Sequence, residues 1–401
     1  MNQKQLTVLI LLAALLGGLG IALRKQNAAG WTSSGAGKDA GLLKDLPVND
    51  VAQVNIKQKD ASLTLAQKDG VWVVRERGDY PANFDQIRDA LQKLVELKVL
   101  QRPKVGATYL PQIQLVEPGK GDSSGTLVEF LGKDGKALRS VLLGKQIMRQ
   151  AGGNDSPFGG GGGSFPDSRF IMLTGKPDSV SVVGDALTSL DTKPQEWLSR
   201  DFIKLEKPAK ISVTPTNAEA AWSLSRTNET GDWQLAGLKA GEKLDAPALG
   251  VMNTVLASAS FSDVVTPAPA DAFAQAVSAR IETFDGIVYE VKLAPKPGTE
   301  DYYLKLEVSA NLSKTREVVA DEKPEDKEKR DKEFKERQEK LAQKLKDEKK
   351  FEGWTYTVSK WAVDALLKDR KSLLEKPEEK AKLSQGELPP GLVAPGGLKL
   401  N

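Results

Sequence analysis

The most apolar part of the chain lies at its N-terminus. Residues 6–23 read LTVLILLAALLGGLGIAL, with a basic residue shortly before them and Arg24-Lys25 directly after. A helix of this length spans about 27 Å, which is enough to cross the hydrocarbon core of a bilayer. The pattern therefore predicts a transmembrane helix within an N-terminal anchor over residues 1–25, followed by a linker over residues 26–50.

A cleaved signal peptide is the alternative interpretation of the same run. Such a peptide has a shorter apolar region and a cleavage site of small residues, whereas Arg24-Lys25 occupies the place where that site should begin. Ala28-Ala29 offers only a poor site. The flanking basic residues lean slightly towards a cytoplasmic body, but a short leader before a single anchor favours export of the body. We expect a signal anchor in the bacterial inner (cytoplasmic) membrane, with the body facing the periplasm.

Beyond the linker, alternating apolar and polar residues predict three short strands and then a helix. The strands are VAQVNIKQ from Val51, SLTLAQ, and VWVVRE centred on Trp72. The helix follows at residues 83–100, where apolar side chains recur at spacings of three and four. Its predicted buried face consists of Phe84, Ile87, Leu91, Leu94 and Val95.

The same order returns from Ala209, which indicates an internal repeat. A second strand is centred on Trp233, and a second helical stretch covers residues 246–261. The two copies lie about 160 residues apart, a spacing that predicts a duplicated domain. The alignment pairs Trp72 with Trp233, Ala82 with Ala246, Ile87 with Val251, and Leu91 with Val255.

The second halves of the two copies also match. Each carries an Asp-Gly turn, Asp134-Gly135 or Asp285-Gly286, between alternating strands of a four-stranded antiparallel meander. Each copy is expected to end in a short helix, at residues 184–190 and 360–368. The predicted fold class is α+β, with two tandem repeats of mostly antiparallel sheet at residues 51–206 and 207–374. The boundary falls at Pro208, which breaks the chain before the next strand.

Two insertions distinguish the copies. The first copy has a Gly-rich loop at residues 151–164, and the second has a long charged helical insertion at residues 314–350. We expect this insertion to be an exposed helix pair or one projecting helix, dispensable for folding and needed for contact with a partner. Its coiled-coil-like stripe of Phe334, Leu341 and Leu345 is too sparse for a stable homomeric coiled coil. The tail at residues 375–401 is predicted to be disordered.

Composition removes several classes of chemistry. The chain has no Cys and no His, which excludes disulfides, thiolate nucleophiles, Ser-His-Asp triads and zinc-hydrolase sites. Its 57 Lys and Arg residues nearly balance 54 Asp and Glu residues, for a formal net charge of +3. This balance gives no reason to expect nucleic acid as a partner.

A few residues could still carry chemistry. Trp72 and Trp233 could stack on a sugar, although core packing is the favoured interpretation. Arg200 could hold an anionic ligand, but an inter-repeat linker with a surface salt bridge is favoured. The carboxylate pairs Glu129 with Asp134 and Glu282 with Asp285 could serve a glycosidase, yet they lie at hairpin turns where such residues are expected. We predict no catalytic, cofactor-binding or metal-binding residue.

Four motifs resemble a known family. They are KDGVWVV, YPANFDQIRDALQKLVELKV, FIMLTGKPDSVSVV and EWLSRDFIKLE, all in the first copy. They resemble the bacterial family known as domain of unknown function number 4340, and the likeness extends from Val51 to about Leu374. The resemblance implies a membrane-tethered accessory facing the periplasm, because members of the family often occur beside gliding-motility-type ABC transporter subunits. It implies no catalytic residue.

Three functions are consistent with these patterns. The first is a non-enzymatic, single-pass envelope protein, an extracytoplasmic accessory or interaction subunit of an ABC-type transport or gliding-motility-like complex. Its partners would be the membrane and the permease or accessory subunits of that complex, with no nucleic acid and no cofactor. The alternatives are an envelope protein that binds or cleaves carbohydrate and a structural spacer.

Overall fold

The computed structural model describes residues 31–34, 41–150, 164–217, 220–313, 315–316 and 323–375. The predicted anchor at residues 1–25, the Gly-rich loop up to residue 163 and the tail from residue 376 lie outside these ranges. Within the described ranges, no helix is both long and apolar enough to cross a membrane.

The first sheet has ten strands, and every pair of neighbours is antiparallel. Its spatial order is β1-β6-β10-β9-β8-β7-β2-β3-β4-β5. The strands are β1 (Trp31–Ser34), β2 (Gln53–Lys57), β3 (Ser62–Lys68), β4 (Val71–Val74), β5 (Tyr80–Pro81), β6 (Val99–Val105), β7 (Thr126–Leu131), β8 (Ala137–Gln150), β9 (Ser164–Leu173) and β10 (Ser181–Val183).

The second sheet has eight antiparallel strands in the order β13-β12-β11-β15-β16-β17-β18-β14. They are β11 (Pro208–Thr214), β12 (Trp222–Ser225), β13 (Gln234–Leu235), β14 (Asp263–Val265), β15 (Val277–Thr283), β16 (Ile287–Pro295), β17 (Tyr302–Ala310) and β18 (Thr355–Val358). The protein is therefore a mixed α/β protein with two antiparallel sheets and few helices.

The helices are α1 (Phe84–Val95), α2 (Ala246–Gly250), α3 (Pro324–Glu348) and α4 (Lys360–Leu367). Short 3-10 helices lie at Val48–Asp50, Arg75–Arg77, Ala107–Ile113, Pro177–Ser179, Pro194–Trp197, Val251–Thr254, Lys349–Phe351 and Arg370–Leu373.

The two sheets have the same strand order. Read from β6, the first runs β6-β10-β9-β8-β7-β2-β3-β4, and read from β14 the second runs β14-β18-β17-β16-β15-β11-β12-β13. In each sheet, the first strand of the repeat pairs with the first strand of the meander, β2 with β7 and β11 with β15. This pairing places Ile56 opposite Val128 and Ile211 opposite Ile281. All four of these side chains are essentially inaccessible to solvent. The three early strands and the meander thus form one continuous sheet in each half.

Helix α1 differs from its prediction at both ends. Ile87, Leu91 and Leu94 are buried as predicted, but Phe84 in the first turn is 55% exposed. The predicted helix to residue 100 is wrong, because α1 ends at Val95 and residues 99–105 form β6. Pairing with β10 at residues 99 and 101 and with β1 at residues 102–105 supplies backbone hydrogen bonds in place of further helical turns.

Two other predicted helices are corrected. The stretch at residues 246–261 holds only the five-residue α2 and a 3-10 helix, and Leu256 beyond them has a positive φ of 53°. The short helix expected at residues 184–190 does not form. There the Asp185 side chain accepts a hydrogen bond from the Leu187 amide, and Leu187 has a φ of 49°, outside the right-handed helical region.

The predicted alignment of the helices is two residues out of register. Ala82 bridges to Leu198 and Leu244 bridges to Leu374, each by an isolated antiparallel pair. Ala82 therefore corresponds to Leu244 rather than to Ala246. With the same shift, Ile87 in the first copy corresponds to Leu249 in the second, not to Val251. Burial agrees, because Ile87 and Leu249 are buried while Val251 is 46% exposed.

The charged insertion contains one long helix, α3, of 25 residues. Most of its side chains up to Lys340 are exposed, as expected for a projecting helix. Its last turns are different, because Leu341 and Leu345 pack against the core and Glu348 is only 5% exposed. The helix is thus fixed to the body at its C-terminal end.

Candidate functional site

Both tryptophans belong to the core, but only Trp72 lies within a strand, β4. Trp233 directly precedes the two-residue β13, so the predicted strand centred on Trp233 is wrong. Trp72 and Trp233 are each 6% exposed and lie in the same buried cluster. The indole Nε1 of Trp233 donates to Asn253 Oδ1 at 2.9 Å, and the Arg226 guanidinium lies 4.8 Å from its ring centroid. Stacking on a sugar requires an exposed ring face, so burial supports the core interpretation for both residues.

The carboxylates considered for glycoside cleavage have cationic neighbours. Glu129 lies 2.8 Å from Lys57 Nζ, and Glu282 lies 3.1 Å from Arg280 Nε. Asp134 accepts hydrogen bonds from the Lys136 amide and side chain, which lower the pKa of its carboxyl. A general acid needs a raised pKa, whereas the pKa of Asp134 is lowered, so Asp134 does not suit this role.

Arg200 contacts backbone carbonyls rather than a carboxylate. Its guanidinium donates to Gln195 O at 2.7 Å, to Phe261 O at 3.1 Å and to Ser262 O at 3.3 Å. Arg200 thus links the segment before Pro208 to the second half through backbone carbonyls, and no acidic side chain among the described residues pairs with it. The carbonyls of Phe261 and Ser262, just before β14, take the place of an acidic partner.

Arg77 forms a salt bridge between the two halves. It donates to both carboxylate oxygens of Asp263, at 2.7 and 2.9 Å, and both side chains are mostly buried. Gly78, which has a φ of 65°, lies so close to the second half that a Cβ there would come within 2.9 Å of Thr266. Close backbone approach and a two-pronged ion pair thus join the sheets at this point.

An aromatic cluster fills the rest of the junction. Its rings lie with centroids 4.7 to 6.0 Å apart, mostly edge to face, an arrangement that aromatic pairs favour. Burial is the main reason why the pKa of Tyr80 is raised to about 12. We call this set the junction cluster; its members are Tyr80, Phe202, Phe261, Phe351, Trp354 and Tyr356.

A cleft of about 750 Å³ lies beside the junction cluster and under the end of α3. Two of its lysines are already paired, Lys344 with Glu206 at 2.7 Å and Lys350 with Asp347 at 2.6 Å. Lys344 also lowers the pKa of the Glu206 carboxyl. The Lys344–Glu206 pair therefore helps to hold α3 on the body, whereas the Lys350–Asp347 pair lies within the insertion.

Glu348 is the buried carboxyl at this junction. Its Oε1 accepts a hydrogen bond from the Lys204 amide at 3.3 Å. Its Oε2 and the adjoining Tyr289 hydroxyl are buried, and neither makes a hydrogen bond of good geometry with a described residue, although the two groups are close enough to shift each other's pKa. Burial raises the pKa of Glu348, and it raises the pKa of Tyr289 as well. The end of α3 thus places a carboxyl that disfavours its charged form inside the body.

The most exposed large apolar side chain of the described residues is Trp361, at 72%. It lies in α4, whose Val363 and Leu366 face the core at 1% and 0% exposure. Trp361 precedes Val363 by two positions, about 200° around a helix, and therefore points away from the core. The sequence contains this signal in KWAVDALLK, but the local pattern alone does not predict a site there.

Two depressions flank Trp361. A groove of about 320 Å³ runs between α4 and the 3-10 helix at Val251–Thr254, over the aliphatic side chains of Val251, Val255 and Leu256. A concavity of about 490 Å³ lies on the other side, at the β16–β17 turn. Both include Trp361 and Asp364, so they form one continuous surface. We call this the Trp361 surface.

The concavity is the charged part of the Trp361 surface. Glu300, Asp301 and Asp364 line it, together with Lys360. Asp364 lies 3.4 Å from Lys368, whereas Glu300 and Asp301 form no ion pair with any residue that the structure describes. Among the described residues, no group of three or more acidic side chains is arranged to hold a metal ion.

The protein thus belongs to the class built from two joined antiparallel sheets, and it exposes one aromatic surface around Trp361. The profile of the family described as Domain of unknown function (DUF4340) matches residues 72–276, about half of the chain. The chain belongs to this family. The match begins at Trp72 in the first sheet and crosses Pro208 into the second, so it includes the junction between the sheets. No curated protein and no solved structure matches the chain.

Proposed function

We propose that the protein is a non-enzymatic, single-pass envelope protein that serves as an accessory or interaction subunit of an ABC-type transport or gliding-motility-like complex. The apolar run at residues 6–23 is its anchor in the bacterial inner membrane, and the body faces the periplasm. The function would then be to hold a binding surface near the membrane.

The body is a tandem duplication within this proposal, with repeats at residues 51–206 and 207–374. The shared strand order and the equivalent bridges Ala82–Leu198 and Leu244–Leu374 support a common origin. Arg77, Arg200 and the junction cluster then combine the repeats into a single support. A support of this kind keeps a binding surface in a fixed orientation.

The observation that carries the proposal is the exposure of Trp361. Large exposed aromatic side chains beside apolar grooves are enriched at protein interfaces, where tryptophan often contributes much of the binding energy. Here the indole is 72% exposed beside a groove with an aliphatic floor. We therefore assign the contact with a partner protein to the second repeat.

Carbohydrate binding is the second candidate, because the same exposed indole with carboxylates beside it could stack on a sugar ring. The groove favours a protein. Its buried residues Val255 and Leu256 are aliphatic, whereas sugar sites need polar groups directed at hydroxyls; Thr254, Ser258, Asp364 and Lys368 are the polar residues that also line the groove. An aliphatic side chain fits this floor better than a polyhydroxylated ring does.

The test combines topology with partner composition. The full-length chain, tagged at its C-terminus, should stay with membranes after alkaline carbonate, and external protease should digest its body in spheroplasts. Purification in mild detergent should then recover permease and ATPase subunits together with it. Release by carbonate, or protection of the body until lysis, would contradict the proposed anchor and orientation. Recovery of the chain without any transport subunit would contradict the proposed partnership.

A further inference from the structure

We infer that the Trp361 surface binds a segment of the partner protein that carries an aliphatic side chain next to a Lys or Arg residue. The aliphatic side chain would occupy the groove beside Trp361, and the basic side chain would occupy the acidic concavity. This inference rests on the proposed function, because it takes the occupant to be a protein.

The shape and lining of the groove determine the first half of the inference. Val255 and Leu256 are 4% and 2% exposed and form a fixed floor, while Val251 and Trp361 form exposed rims. A space of about 320 Å³ accommodates one or two large side chains but not a helix. Burial of an aliphatic side chain there removes apolar area of both partners from water.

The charge of the concavity determines the second half. Three carboxylates, Glu300, Asp301 and Asp364, line it together with Lys360, and Asp364 is already paired with Lys368 at 3.4 Å. Glu300 and Asp301 have no ion-pair partner among the described residues, so a cationic group can approach them without displacing one. The nearby indole adds to the attraction, because a cation over an aromatic face is stabilised. A basic side chain therefore complements this side better than an acidic or neutral one.

The position of the surface separates it from the charged insertion. The insertion enters β18 at Thr355, whereas α4 with Trp361 follows the other end of the same strand at Val358. The β16–β17 turn that carries Glu300 and Asp301 lies at this second end. Binding at the Trp361 surface therefore does not require the exposed part of α3.

Photo-cross-linking in the native cell tests the inference. Trp361 is replaced by p-benzoylphenylalanine in the full-length chain, and Val251 on the opposite rim is replaced in a second variant. Phe84 in α1, an aromatic residue of the first half that is 55% exposed, is replaced in the matched control. After irradiation, mass spectrometry identifies the cross-linked segment. We expect adducts at positions 361 and 251, but not at 84, in a partner segment with an aliphatic residue next to Lys or Arg.

Charge reversal provides the second measurement. Glu300→Lys combined with Asp301→Lys should lower the adduct yield about tenfold, and changing the basic residue of the partner segment to Glu should restore it. Melting temperatures of the variants establish that the fold is intact. Failure of the partner change to restore the yield would contradict the charge assignment.

Cross-linking to a different occupant would overturn the inference. Such an occupant would be a glycan, a lipid, a second copy of the chain, the chain's own residues 376–401, or an acidic segment of a protein. Absence of an adduct at positions 361 and 251, while transport subunits still co-purify, would overturn the inference and leave the proposed function intact. If no transport subunit co-purifies at all, the proposed function fails with it.

Discussion

Asn83 and Asp245 have the same two roles in the two halves of the protein. Each caps a helix, because Asn83 Oδ1 accepts from the Gln86 amide at 3.1 Å and Asp245 Oδ1 accepts from the Ala248 amide at 2.8 Å. The backbone amide of Asn83 also donates to Trp197 O at 2.8 Å, and that of Asp245 donates to Leu373 O at 3.0 Å. In each half, the side chain of this residue thus caps a helix, while its backbone N–H forms a hydrogen bond with a residue near the end of the same half.

Substitution of either cap tests this equivalence. Asn83→Ala and Asp245→Ala should each lower the free energy of unfolding by about 1 kcal/mol, because the capping acceptor is lost and the backbone bridge remains. Urea unfolding measures the change. Lys93→Ala, on the exposed side of α1, is the control and should change stability by less than about 0.5 kcal/mol. Equal stability of a cap variant and the control would contradict the capping role.

The core tryptophans should matter for stability rather than for ligand binding. Trp72→Ala and Trp233→Ala should each cost about 3 to 5 kcal/mol, the usual range for removal of a large buried aromatic side chain. Thermal or chemical unfolding of the purified protein measures this loss. An unchanged melting temperature, together with lost binding to a glycan, would instead support the carbohydrate hypothesis.

The ion pair between Arg77 and Asp263 should couple the two halves. We expect Arg77→Ala to destabilise the protein by about 1.5 to 3 kcal/mol, because it leaves Asp263 mostly buried without its charged partner. A double-mutant cycle with Asp263→Ala measures the coupling. The double variant should be less destabilised than the two single changes added together. Strict additivity would show that the pair does not hold the sheets together.

Glu348 predicts an unusual dependence of stability on pH. Its pKa in the folded protein is raised by burial, so the folded state holds the proton more tightly than the unfolded chain does. The stabilisation is complete below the ordinary glutamate pKa of about 4.3 and is lost as pH rises through the folded pKa. The Glu348→Gln variant should therefore have the same free energy of unfolding as the natural protein near pH 4 and a higher one at neutral pH.

Urea midpoints measured between pH 4 and pH 8 provide this comparison. Tyr289, Lys344 and Glu206 all act on the same carboxyl and stay unchanged in the variant. Glu339→Gln, at an exposed position of the same helix, is the control and should follow the natural protein. A constant difference between the Glu348→Gln variant and the natural protein over the whole pH range would contradict the raised pKa.

The insertion helix should contribute to stability only through its C-terminal turns. Leu345 is half-buried against the core, so Leu345→Ala should cost about 1 to 2 kcal/mol. Lys335→Ala, on the exposed part of α3, should have almost no effect. Melting curves distinguish the two changes. The last turns of the insertion thus contribute to the core, and dispensability of the whole insertion for folding stays a prediction.

Local patterns account for the features that were predicted correctly. The alternation around Trp72 and Trp233 is a property of neighbouring residues, and it indicates burial without knowledge of the partner strand. The same holds for the buried residues Ile87, Leu91 and Leu94, which recur at helical spacing. The succession of strands could therefore be predicted in most places.

Long-range contacts account for the errors. The register of the second helix depends on the bridge from Leu244 to Leu374, which no local pattern contains. The pairing of Arg77 with Asp263 joins residues 186 positions apart. Residues 99 and 100 continue the apolar pattern of α1, and pairing with β1 and β10 makes residues 99–105 a strand. The Trp361 surface likewise depends on the separate approach of α4, the Val251–Thr254 turn and the β16–β17 turn.

The central claim, that Trp361 recruits a protein partner, is tested most directly by quantitative co-purification. Full-length natural protein, Trp361→Ala and the control Phe84→Ala are isolated from membranes in mild detergent, and the recovered transport subunits are measured by mass spectrometry. We expect Trp361→Ala to lower their recovery about tenfold or more at an unchanged melting temperature, and Phe84→Ala to leave it unchanged. Equal recovery with all three proteins would contradict the account.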